Sequence, residues 1–174
     1  MKKFILPAFI ISLPYLLSCF VGTQYYEMMY TIPALQIGIG LGQLLLPFFL
    51  LMYFVRKYKT EFSGGIITFR NAFRYTFKLT LLWSLFTSII TLVYYLLNGD
   101  LMQKIAAISL ANSKEKIIST AGAISASEQK MLESISATQN NPYFMTLSAI
   151  IMILFFGTLF SLIIAAIVKS KPAD

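Results

Sequence analysis

The sequence predicts an all-α integral membrane protein, a bundle of four transmembrane helices with an external loop folded into short helices. Three observations carry that reading. Hydrophobic residues make up 57% of the 174 and charged residues only 12%, against about 25% charged in an ordinary soluble domain. The apolar residues gather into four runs, Phe4–Val21, Ala34–Val55, Leu79–Leu97 and Tyr143–Val168, and none contains an Asp, Glu, Lys or Arg. A spanning helix needs about 20 such residues, each advancing about 1.5 Å through roughly 30 Å of hydrocarbon. Finally, the basic residues are sorted by loop, as the positive-inside rule requires. A soluble globular enzyme, a disordered chain and a disulfide scaffold are excluded, and residues 1–174 read as a single membrane domain. With no histidine and one cysteine, the commonest general base, a multi-cysteine metal site and an internal disulfide are lacking too.

The first run follows Lys2 and Lys3 and contains Pro7 and Pro14, which a membrane helix tolerates as kinks where neighbours satisfy the freed carbonyls. Its end, Leu16-Leu17-Ser18-Cys19, also fits a bacterial lipoprotein signal cleaved before Cys19. Phe20 after the cysteine, Pro14 within the stretch and three further spans favour a retained span with an inert membrane cysteine.

Helices in lipid associate by close packing and hydrogen bonds, because the surroundings are as apolar as leucine. In the second run Ala34, Gly38 and Gly42 recur every four residues, with Gly40 nearby. In the fourth, Gly157, Ser161 and Ala165 do the same. The third has Thr80, Ser84 and Ser88, with Thr87 and Thr91 slightly around the helix. These ridges predict packing within the bundle; the alternative is that one faces a partner protein or another copy of the chain. Gln36 and Gln43, the most polar groups inside any run, share a helix face. They either hydrogen-bond across the bundle or line a polar cavity.

Between the second and third runs, Gly64-Gly65 breaks the chain and opens an amphipathic segment over residues 66–78. Phe69, Phe73 and Phe77 form one stripe, and Arg70, Arg74 and Lys78 another, about 100° around the helix. Such a helix lies in the membrane interface, rings in the acyl boundary and cations among anionic lipid phosphates. It anchors the third span, or it offers a binding surface to a phosphate-bearing lipid or an acidic cytoplasmic partner. No phosphate-binding loop accompanies it.

Lys2 and Lys3, the Arg56–Lys78 link, and Lys169 with Lys171 hold ten of the 14 basic residues. The loop at residues 22–33 holds none, and in residues 98–142 four lysines balance four acids. Both termini are therefore expected in the cytoplasm. The net charge of +7 reflects this sorting, so no nucleic-acid partner is expected. In the periplasmic loop 98–142, Leu101, Ile105 and Ile108 fit one helical face. Asn112 with Glu115 predicts a cap for a short helix ended by Gly122, and Ser125 with Glu128 a capping box opening 127–138. Asn141-Pro142 begins the fourth span as cap and first-turn proline. Two or three short helices forming a lid are expected. No spacing there assembles nucleophile, base and oxyanion donors, so no catalytic residue, metal or cofactor is assigned.

The stretch from Gly64-Gly65-Ile66-Ile67-Thr68-Phe69-Arg70-Asn71-Ala72-Phe73 into a span, closed by Tyr94-Tyr95, resembles a Bacteroidetes membrane-protein family known as domain of unknown function 4199. The likeness continues through Ser127-Glu128-Gln129 and a last span with Gly157, Ser161 and terminal lysines. It departs after Tyr95, where an aspartate-proline pair is usual in the family and Asn98-Gly99-Asp100 stands instead. The resemblance implies an inner-membrane protein without assigned chemistry, encoded near envelope glycosyltransferases. The expectation is a non-catalytic accessory or scaffold subunit in envelope or lipid-linked sugar metabolism, contacting anionic lipids and a membrane-protein partner or a second copy. A transporter or flippase for a lipid or small molecule is the alternative, and a lipoprotein processed at Cys19 a further one.

Overall fold

Backbone amides that enter hydrocarbon must find their partners within the protein, and each of the four apolar runs lies within one continuous helix. The computed structural model describes residues 2–25 and 32–170. Among them lie α1 (Lys2–Gln24), α2 (Pro33–Phe62), α3 (Phe69–Leu97), α4 (Gly99–Ala121), α5 (Ala126–Gln139) and α6 (Pro142–Val168). The helices α1, α2, α3 and α6 are long and apolar enough to cross a membrane.

The helices overrun the apolar runs wherever nothing stops them. The second continues through Arg56, Lys57 and Lys59 to Phe62. It stops at Gly64 and Gly65, whose φ angles of 58° and 80° lie where a Cβ is disfavoured. Thr68 then caps α3, its side chain accepting from the Asn71 N–H. No glycine or proline interrupts residues 69–97. The phenylalanine and arginine stripes are therefore the first turns of α3 itself, continuous with the span, rather than a separate helix lying along the interface. Ile66 and Ile67 precede the helix.

The loop at 98–142 holds two helices. Asn112 sits inside α4 instead of capping a second short helix, because residues 108–115 contain no breaker. The helix ends where Gly122 adopts a left-handed conformation, φ 78°, a common helix stop. Ser125 and Glu128 form the expected reciprocal capping box at the start of α5. Asn141 accepts from the Tyr143 and Phe144 N–H groups at 3.0 and 3.2 Å to open α6.

At the centre stands α3, packed most extensively against α6 and next against α1. Burial is concentrated at one end of the bundle. Ala8, Ile11 and Ser12 of α1, Leu51 and Val55 of α2, and Ser161, Ile164, Ala165 and Val168 of α6 close around Ala72–Trp83 of α3. That end carries Lys3, Arg56, Lys59, Arg70, Arg74, Lys78 and Lys169. Toward the opposite end the core thins. No described side chain of α1 after Ser12, of α2 before Pro47 or of α6 before Gly157 is buried, whereas α3 stays buried as far as Thr91.

The α5 cap carries a pH dependence. The Glu128 carboxylate accepts from the Ser125 hydroxyl at 2.6 Å and from the Ser125 N–H at 2.8 Å, and these bonds hold its pKa below the usual value. A depressed folded-state pKa gives stabilisation that is complete above the ordinary glutamate range and lost as pH falls through the folded value. Amide-exchange protection over residues 126–131 is expected to fall in that acidic window, and Ser125→Ala, which loses the hydroxyl bond but keeps the backbone N–H bond, to weaken the dependence.

Candidate functional site

Two places bring together residues of different helices in a way that lipid contact alone does not require: the basic end and a cavity at mid-length.

At the basic end the helices are tied to one another. Pro7 has no N–H, so the Lys3 carbonyl lacks its intrahelical donor; the Tyr75 hydroxyl donates to it from α3 at 3.2 Å. The Tyr75 ring stacks on Tyr58 of α2, centroids 4.0 Å apart, and tilts against Phe4 at 5.1 Å. Lys59 donates its ammonium to the Val168 carbonyl at 3.0 Å, satisfying one of the acceptors left open at a helix C-terminus. Beyond α6, Ser170 donates its N–H to the Ile67 carbonyl at 2.9 Å, and the Ile67 N–H donates to the Ser170 hydroxyl at 3.0 Å. Lys3 places its ammonium 3.7 Å above the Phe62 ring. Outside this tie, Phe69, Phe73 and Phe77 stack nearly parallel at 6.4 and 5.7 Å. Arg70, Arg74 and Lys78 are exposed. Among the described residues neither arginine forms an ion pair.

The two glycine ridges part company. On α6, a Cβ at Gly157 would collide with the Thr80 methyl group and come within 3.0 Å of its hydroxyl. The Ser161 hydroxyl donates to the Gly157 carbonyl at 2.6 Å, and Thr80 reaches both Gly157 and Ser161 at 3.5 Å. Gly157 and Ser161 thus pack within the chain. Around Gly38, Gly40 and Gly42 of α2 no described residue stands within 4 Å of where a Cβ would be, so among the described residues no helix closes on that ridge.

The cavity, of about 360 Å³, lies among α1, α2, α3 and α6, midway along α3 and on the less buried side of the core. Tyr15, Gln43, Pro47, Trp83, Thr87 and Phe156 are among its walls, and no charged residue lines it. The hydroxyls of Thr76, Ser84, Ser88 and Thr91 on α3 each bond back to a carbonyl of the same helix, and Thr80 bonds across to α6. Thr87 does neither. Its hydroxyl and the Trp83 indole Nε1, one turn away, are buried without a hydrogen-bond partner; such groups cost about 1–3 kcal/mol each. Pro47 adds a third feature, since its missing N–H leaves the Gln43 carbonyl without its usual donor.

Of the residues singled out by sequence, the structure brings Arg70, Arg74, Lys78 and the three phenylalanines onto one end of α3, Gly157 and Ser161 into the α3–α6 seam, and Gln43 to the cavity. The Gln36 side chain lies outside the described residues. Sequence reasoning missed Trp83 and Thr87. The available signal was the lone tryptophan in mid-span, one turn from a threonine offset from the serine ridge, opposite a glutamine four residues before a proline.

Four membrane-length helices, two of them joined by a Thr–Gly–Ser seam, with their cations gathered at one end, define a multi-span helical membrane protein. The chain belongs to the family described as protein of unknown function DUF4199, which it matches over residues 4–170. No curated protein and no solved structure is matched.

The two ridges give opposite mutational signs. Gly157→Ala overpacks the seam and is expected to destabilise by about 1–3 kcal/mol. Gly42→Ala meets no neighbour and is expected to be neutral, or stabilising by up to about 1 kcal/mol through helix propensity. Thermal unfolding of the purified protein in one detergent reads both.

Proposed function

We propose that the protein is a non-catalytic accessory or scaffold subunit of a bacterial inner membrane, with both termini and the basic end facing the cytoplasm. Its process is envelope or lipid-linked sugar metabolism. The observation that carries this reading is the basic end: a knot of four chain segments presenting Arg70 and Arg74, exposed and without an ion pair among the described residues, beside a ladder of aromatic rings. Cations held on a stiff helix at headgroup depth attract anionic lipids or an acidic partner surface. The rings beside them fix the depth, since interfacial aromatics partition to that layer. The Gly38–Gly42 face of α2 fits the same role, because glycines that meet no described residue within 4 Å leave room for a neighbour's backbone.

A second reading is a lipid or small-molecule transporter or flippase, favoured by the mid-length cavity. The spans hold no ionisable Asp, Glu, Lys or Arg at that depth, which supports binding over ion-coupled transport.

The test is the double variant Arg70→Glu with Arg74→Glu. Each cation contributes roughly 1 kcal/mol of surface attraction, so removing two lowers retention of anionic lipid or acidic partner by about 30-fold, and reversing them lowers it further. Insertion, read as resistance to alkaline extraction, is expected to be unchanged. Co-purified lipids and proteins in wild-type proportion contradict the role assigned to this end.

A further inference from the structure

We infer that the mid-length cavity is a binding site for an uncharged lipid whose polar group is an alcohol or ester oxygen, held by Trp83 and Thr87 with the chain lying along the apolar walls. The inference is independent of the role given to the arginines. It starts from a contrast within one helix. The hydroxyls of Thr76, Thr80, Ser84, Ser88 and Thr91 on α3 each have an acceptor in the protein, whereas Thr87, fully buried, has none. Trp83 lies one turn away with 6% of its surface exposed and an indole N–H equally without a partner. Both residues are walls of the same cavity; their polar atoms have almost no accessible surface, so a small side-chain rotation must turn them to an occupant, and hydrocarbon has no acceptor to offer either.

The chemistry of the walls narrows the occupant. Indole N–H donates only, and a threonine hydroxyl donates or accepts, so the bound group must supply an acceptor oxygen. Gln43, whose carbonyl loses its usual intrahelical donor because Pro47 follows four residues later, is also among the walls, which suits an occupant that also carries O–H. No charged residue lines the cavity, and a phosphate or ammonium at this depth would be unpaired and expensive. A volume of about 360 Å³ falls within the range of small-molecule sites. A neutral hydroxyl or ester on an apolar chain meets each condition. Two sources share that chemistry, a diacylglycerol and a polyprenol.

The experiment uses the full chain in phosphatidylcholine nanodiscs, with binding read by native mass spectrometry on addition of 1,2-dioleoylglycerol, a long-chain polyprenol or phosphatidylglycerol. Wild type is expected to retain one of the two neutral lipids at least tenfold better than Trp83→Phe/Thr87→Val, which removes both donors, isosterically at Thr87 and with a smaller aromatic ring at Trp83. Which neutral lipid is retained identifies the source. Gly40→Leu, whose side chain enters a wall with nothing within 4 Å of the new Cβ, is expected to abolish retention while both donors remain. It decides the matter alone if the double variant fails to fold. Equal retention by wild type and Gly40→Leu overturns the inference, as does phosphatidylglycerol bound as tightly as the neutral lipids. So does a double variant that melts above wild type in the presence of neutral lipid, for the two donors are then merely unsatisfied.

Discussion

A hydroxyl in hydrocarbon has to find its acceptor inside the protein, and at the α3–α6 seam that constraint fixes the architecture. Thr80 reaches the Gly157 carbonyl and the Ser161 hydroxyl across the interface, and it fits only because Gly157 has no side chain to occupy the same space. Close approach here replaces the hydrophobic drive that a soluble bundle would use. Toward the basic end from this point, Ile164, Ala165 and Val168 of α6 are buried in the same core cluster as Ala72, Tyr75 and Leu79 of α3.

From that seam the asymmetry of the molecule follows. Below it, toward the cations, the four long helices are cross-linked by Tyr75, Lys59 and Ser170 through backbone carbonyls and amides, and Tyr75 repairs the gap that Pro7 leaves in α1. Above it the glycines of α2 meet no described residue, Pro47 interrupts the backbone ladder, and the helices leave a cavity instead of a core. A small residue therefore has no fixed meaning in a membrane helix. Gly157 brings two helices together, whereas Gly40 is part of the wall of an open space.

Much of this was legible in the sequence, for physical reasons. Charge-free runs of about 20 residues admit only helices in a bilayer, so the four spans were readable, as were the Ser125–Glu128 box and the Asn141-Pro142 start of α6, whose chemistry is local. Extents were less readable. A polar flank does not end a helix unless a breaker stands there, which is why residues 69–78 joined α3 and why α4 ran on past Asn112. The cavity was hidden because it depends on which helix each hydroxyl faces. Thr80 and Thr87 look alike in a linear pattern, and only the placement of α6 against one turn and of open space against another separates them. The same holds for the ridges, since spacing shows that Ala34–Gly38–Gly42 and Gly157–Ser161 are narrow faces but not which has a partner.

The functional readings rest on that geometry, with a stiff charged end for surface contact and an uncharged recess for a lipid. Both require α3 and α6 to meet at Thr80 and Ser161 in the membrane. The most direct measurement is oxidative cross-linking in native membranes of a Thr80→Cys/Ser161→Cys chain carrying Cys19→Ser. Rapid formation of an intramolecular disulfide, seen as a mobility shift reversed by reductant, is the expected result. Thiols that stay free under oxidant, while the protein remains inserted, contradict the seam and the architecture built on it.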